Sequence, residues 1–169
     1  MKLTKLITNN LAPILEVFSV DGQKWRLADQ NHRNYTMVLF YRGWHCSFCQ
    51  AQLTELDRQL EQFTNLGIEV IAISSDTQKR ALRAKHDWQL QNILIGYGLS
   101  LVDMRRWGLY ISKGIYKDEP AIFNEPAIFL VNSSGLLIMT INGSTAFARM
   151  RFEDLIDDVN YVLKNNYPI

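Results

Sequence analysis

The chain has 169 residues, 47% of them hydrophobic, which is enough for one domain, spanning 1–169, with a full core. Eighteen lysines and arginines against seventeen acidic residues leave a net charge of +1, so no charge field marks it for nucleic acid, an anionic membrane or an acidic substrate. No span reaches transmembrane length, and the first ten residues lack the sustained apolar stretch and small-residue cleavage pattern of a secretory signal. The cytoplasm is therefore the expected location.

In chain order, residues 15–20 and 23–27 are strand-like runs about Asp21-Gly22, which predicts an N-terminal hairpin. Residues 29–34 are polar and turn-like, and residues 35–41 read as a buried strand. Arg42-Gly43-Trp44 makes a turn, and residues 50–66 follow as an amphipathic helix with Leu53, Leu56, Leu60 and Phe63 on one face and Gly67 as its stop. A second strand at 68–74 leads through Ser75-Asp76-Thr77, a cap, into a basic helix from 78 to about 88. Strand, helix, strand, helix implies a parallel unit. A short apolar stretch at 93–95 and a helix at 99–107 ending on Gly108 come next, while residues 109–125 show no period and read as a loop or insertion. Residues 126–131 and 136–141 form a second hairpin, and 152–163 a terminal helix with an apolar stripe.

The chemistry centres on Cys46 and Cys49, the only cysteines. They lie in Trp44-His45-Cys46-Ser47-Phe48-Cys49, in or just before the first turn of a helix that follows a strand. Unsatisfied N–H groups and the partial positive charge there favour thiolate over thiol, and residues three apart share a face, so the two sulfurs can close a disulfide. As a structural staple, a bridge over about four residues would contribute only ~2 kcal/mol. As a zinc half-site, the pair lacks two ligands, since His45 is too close in sequence and His32 and His86 are scattered. Two inert buried thiols are the remaining bland alternative. The strand–turn–helix setting and a thiol-reducing compartment favour a redox dithiol, for which neither cofactor nor metal is expected.

This layout, with a later hairpin opening at an X-Pro bond, resembles the thioredoxin fold: α/β, with a central mixed sheet, helices on both faces and an N-terminal hairpin. Phe40-Tyr41-Arg42-Gly43-Trp44-His45-Cys46-Ser47-Phe48-Cys49-Gln50-Ala51-Gln52-Leu53 is similar to the peroxiredoxin-like branch of the alkyl hydroperoxide reductase/thiol-specific antioxidant family (AhpC/TSA). The likeness continues through Val70-Ile71-Ala72-Ile73-Ser74-Ser75-Asp76 and Glu125-Pro126-Ala127-Ile128-Phe129-Leu130-Val131. In the pattern Pro-x-x-x-Thr/Ser-x-x-Cys, Arg42 stands for the proline, Cys46 for the hydroxyl and Cys49 for the peroxidatic cysteine. Gln52 stands for the glutamate three residues on. Asn124-Glu125-Pro126 occupies the place of the family's late arginine, which leaves Arg149 or Arg42 to take that role. In the thioredoxin register Cys46 is instead the exposed attacking sulfur and Cys49 resolves. Pro126 is then the loop proline beside the disulfide, and a cis Glu125–Pro126 bond is expected.

The resemblance thus implies a thiol-dependent oxidoreductase, an antioxidant that reduces hydroperoxides. A thioredoxin-type disulfide reductase and a redox-inactive interaction module stay open as alternatives. The implied partners are a small hydroperoxide or disulfide substrate and a thioredoxin- or glutathione-type reductant; a homodimer is left open. Trp44 either shields the sulfurs and offers an apolar docking surface or packs in the core. His45 is expected to face solvent, Arg149 and Arg151 to pair with Glu153 or Asp154, and Lys79, Arg80, Arg83 and Lys85 to form a solvated helix face.

Overall fold

The computed structural model describes residues 6–30 and 33–167; the first five residues, and Asn31 and His32 in the turn expected at 29–34, lie outside that range. A seven-stranded sheet runs through the molecule in the order β2-β1-β5-β4-β3-β8-β9. Its strands are β1 (Glu16–Ser19), β2 (Lys24–Arg26), β3 (Tyr35–Phe40), β4 (Ile68–Ile73), β5 (Leu94–Tyr97), β8 (Ala127–Asn132) and β9 (Leu137–Asn142). Strands β3, β4 and β5 are parallel, while β1, β8 and β9 pair antiparallel to their neighbours, so the sheet is mixed.

Alternation in the strands divides the core between two faces. Met37, Leu39 and Tyr41 point to one side with Val70, Ala72, Ile128 and Leu130, beneath α1 (Ser47–Asn65), α2 (Gln78–Asp87) and α4 (Phe152–Asn165). Val38, Phe40, Ile71, Ile73 and Phe129 point to the other, with Met104 and Trp107 from α3 (Leu101–Arg106) and its end. β3 is covered on both faces, which is why residues 35–41 read as one unbroken apolar run. Helices on both faces of a mixed sheet, and the hairpin β1–β2, agree with the expected architecture.

Two expectations are corrected. Residues 109–125 are no featureless loop: β6 (Ile111–Lys113) and β7 (Ile122–Asn124) pair antiparallel as a separate hairpin, with Glu119 accepting the N–H groups of Ile115 and Tyr116 at its tip. Nor is the Glu125–Pro126 bond cis; the described residues contain no cis peptide. Trans is the intrinsic preference of X–Pro bonds, and here it leads from β7 into β8 with the Pro126 carbonyl accepting the Gly143 N–H at 2.9 Å.

Candidate redox site

The site forms where β3 ends and α1 begins, at the carboxyl end of a strand flanked by β4 and β8. Gly43 makes the turn possible: its φ is +132°, and a Cβ there would lie 2.7 Å from Asp76 Oδ2. Asp76, buried beyond the end of β4, accepts the Trp44 N–H at 2.6 Å and binds Arg80 Nε at 2.6 Å. A buried carboxylate therefore anchors the turn from the α2 side.

Cys46 is the N-cap of α1. Its Sγ accepts the Cys49 N–H at 3.2 Å, the place a serine or aspartate oxygen commonly takes. Cys49 lies in the first turn, and its Sγ accepts the Arg42 backbone N–H at 3.4 Å. Arg149, from the segment between β9 and α4, reaches over both: Nη2 lies 3.1 Å from Cys49 Sγ and 3.6 Å from Cys46 Sγ. Its Nη1 donates to Gln52 Oε1, one turn along α1, and its Nε to the Ala146 carbonyl at 2.6 Å. Among the described residues, no ion pair links Arg149 to a carboxylate; Arg151 is the arginine that pairs with Glu153. The positive charge of Arg149 is thus directed at sulfur and held by neutral acceptors.

Arg42 approaches from the opposite side. Nη1 is 3.9 Å from Cys46 Sγ, Nε 3.2 Å from Glu125 Oε2, and Nη2 4.0 Å from Glu119 Oε1, with the guanidinium over the Phe123 ring. The hairpin β6–β7 supplies Glu119 and Phe123, and Glu125 follows it. The same ring meets His45 edge-on at 4.7 Å. His45 is half-buried instead of facing solvent, and burial, helped by Arg42, lowers its pKa.

Both cysteines are free thiols, with Cys46 3% and Cys49 0% exposed. Their ionisations separate. The hydrogen bond from the Cys49 thiol, the Cys49 N–H and the charge of Arg149 bring Cys46 down from 9.0 to about 6. Burial and the neighbouring Cys46 push Cys49 well up. At neutral pH the pair carries one charge, on Cys46, with Cys49 as hydrogen-bond donor. Charge therefore agrees with the thioredoxin register for Cys46, while burial differs from it: the attacking sulfur was expected to be exposed.

Trp44 packs half-buried against the core and donates its indole N–H to Asp87 at 3.0 Å; Arg83 stacks 4.0 Å over its face. Its contacts tie the cysteine turn to α2. Arg80, bound to the buried Asp76, is drawn partly out of the expected solvated face, whereas Arg83 stays exposed on it and Lys85 pairs with Asp21. Pro126 is buried and shares a small recess with Gln52, Ala148, Arg149 and Met150, on the Arg149 side of the dithiol. Asp76, Glu119 and Glu125 were not singled out from sequence. Glu125 carried a signal, since a carboxylate immediately before an unbroken apolar strand must be buried and paired. Among the described residues no group of three or more His, Cys, Asp or Glu is close enough to hold a metal ion.

The AhpC/TSA family model matches residues 8–139. No curated protein matches the chain. Among solved structures, a peroxiredoxin-like protein from Aquifex aeolicus is 16% identical with a TM-score of 0.75, covering 94% of this chain and 88% of its own. A cysteine-to-serine variant of peroxiredoxin 6 from Arenicola marina is 13% identical with a TM-score of 0.78, covering 96% and 76%. The reduced 2-Cys peroxiredoxin of Plasmodium vivax is 15% identical with a TM-score of 0.76, covering 94% and 98%. Identities this low speak to the fold.

Proposed function

We propose that this chain, which belongs to the AhpC/TSA family, is a thiol-dependent peroxidase that reduces small hydroperoxides through Cys46 and Cys49. The observation that carries the proposal is the position of the Arg149 guanidinium, in reach of both sulfurs. A cation there stabilises the attacking thiolate and the alkoxide that leaves when the O–O bond breaks. The Cys46 thiolate attacks the terminal oxygen of ROOH; an S–O bond forms, the O–O bond breaks, and RO⁻ departs. The Cys49 thiol gives RO⁻ its proton, yielding ROH and a Cys46 sulfenic acid. The Cys49 thiolate then attacks Cys46 Sγ, displacing hydroxide, which becomes water with a proton from solvent. The product is the Cys46–Cys49 disulfide, and an external thiol, of thioredoxin or glutathione type, returns it to the dithiol. A reducing, cytoplasmic setting suits that cycle.

Burial of both sulfurs favours a small peroxide over a protein disulfide, whose sulfur would have to reach Cys46 through its cover. A reversed assignment has its own support: Arg149 lies nearer Cys49, and Cys49 holds the peroxidatic place in the family pattern. Trapping decides between them. Reduced Cys49→Ser mixed with one equivalent of tert-butyl hydroperoxide and dimedone is expected to carry the label on Cys46 by mass spectrometry, with Cys46→Ser unlabelled. Label on Cys49 alone would reverse the roles. Peroxide consumption by the unmodified protein no faster than by a free thiol would overturn the function.

A further inference from the structure

Arg42 stands at a junction where the dithiol and the β6–β7 hairpin compete for one cation. Its three guanidinium nitrogens face three anionic or ionisable groups: Cys46 Sγ at 3.9 Å, Glu119 Oε1 at 4.0 Å and Glu125 Oε2 at 3.2 Å. The side chains are withdrawn from water, at 18% exposure for Arg42, 10% for Glu119 and 4% for Glu125, so solvent screens these interactions weakly. Glu125 is held from behind, its Oε1 accepting the Ser112 hydroxyl of β6 at 2.6 Å. Between Arg42 Nε and Glu125 Oε2 the contact is ionic without an aligned hydrogen bond, so the guanidinium is attracted to Glu125 yet not fixed on it.

We infer that Glu125 is a positioning residue that sets how much of the Arg42 charge reaches Cys46, making the β6–β7 hairpin an electrostatic part of the redox site. The Cys46 thiolate receives Arg149, which no carboxylate pairs among the described residues, and the Cys49 N–H, whereas its second cation, Arg42, is shared with Glu125. Glu125 restrains Arg42 toward the hairpin; released, the same guanidinium keeps Cys46 and Glu119 as its remaining acceptors among the described residues. The groups that face Cys46 from the packed elements are Cys49 of α1, Arg149 before α4, and Arg42. Those that face Arg42 in addition are His45, Glu119 and Glu125.

The inference rests on Cys46 being the ionised sulfur, and its test reads thiolate formation directly, not peroxide turnover, so it can fail while the peroxidase assignment stands. The rate of iodoacetamide alkylation of Cys46, in a Cys49→Ser background to leave one thiol, is followed from pH 4 to 9. In that background, Glu125→Gln is expected to lower the midpoint by roughly half to one unit and Arg42→Met to raise it by about one unit, the range a cation at this distance produces. Adding Glu125→Gln to Arg42→Met should leave the Arg42→Met midpoint in place, because Glu125 acts through Arg42. An equal downward shift with and without Arg42 would mean a direct field from the Glu125 carboxylate and would overturn the inference, as would an upward shift in Glu125→Gln. Should Glu125→Gln fail to fold, Ser112→Ala, on the half-buried hairpin, carries the test: loosening Glu125 should lower the midpoint by a few tenths, and an unchanged midpoint refutes the inference.

Discussion

Arg149 illustrates how a single side chain makes two thiols into a redox centre. Its reach to both sulfurs, with Gln52 and a backbone carbonyl as its other partners, leaves its charge unpaired with any carboxylate among the described residues. A glutamate at position 52 would draw that charge away from sulfur. Two opposite experiments follow on reduced protein. Arg149→Met removes the cation, and the pH at which peroxide-dependent sulfenate formation is half-maximal should rise by about one unit from its value near 6. Gln52→Glu keeps the cation and pairs it, and should raise the midpoint in the same direction by less. Stopped-flow rates across pH 4 to 9 measure both; a midpoint that stays in place in Arg149→Met would separate the arginine from the thiolate. The two cysteines and Arg149 were all visible in the sequence. Gln52 was visible only as a departure from the family pattern, because its partner lies 97 residues away and no local period links them.

At the level of elements, the helix that carries the cysteines is held in register from its middle. Asp57, on the buried face of α1, accepts the N–H groups of Gln91, Asn92 and Ile93 at 3.1, 2.9 and 2.8 Å, fastening the connection between α2 and β5 to α1. Asp57→Ala leaves three N–H groups, one of them buried, without their acceptor, and is expected to destabilise the fold by about 3 kcal/mol. Urea unfolding measures that loss. Peroxide reduction in the folded fraction should remain near that of the parent, since the site lies at the first turn of the helix, away from Asp57. An unchanged unfolding midpoint would show that water replaces the carboxylate at no cost. The long elements were legible because burial imposes a period: α1, α4 and the strands β3, β4 and β8 carry runs that no loop would carry. The hairpin β6–β7 was not. Its strands are three residues each, and their exposed side chains mix Ile and Lys, so neither alternation nor composition separates them from a loop.

For the whole molecule, the charge separation between the cysteines links redox chemistry to folding. Cys46 ionises near 6 in the fold and near 9.0 when unfolded, so between those values the unfolded chain binds the more protons and stability rises with pH. The contribution is fully present above 9.0 and is lost as pH falls through 6. Cys49, raised by burial, acts in the opposite sense. It is a thiol in both states at neutral pH, and its effect begins only where the unfolded cysteine ionises, near 9.0, above which stability declines again. A window from pH 6 to 8 therefore isolates Cys46. Under reducing conditions, the unfolding midpoint of the parent minus that of Cys46→Ser should grow steadily across this window, with His45 cancelling because both proteins contain it. A difference that stays flat would mean that the Cys46 proton is held as tightly in the fold as in the open chain. The helix terminus and the two arginines would then contribute nothing to its reactivity. A rising difference would mean that the fold is strengthened by the same interactions that keep the thiolate reactive.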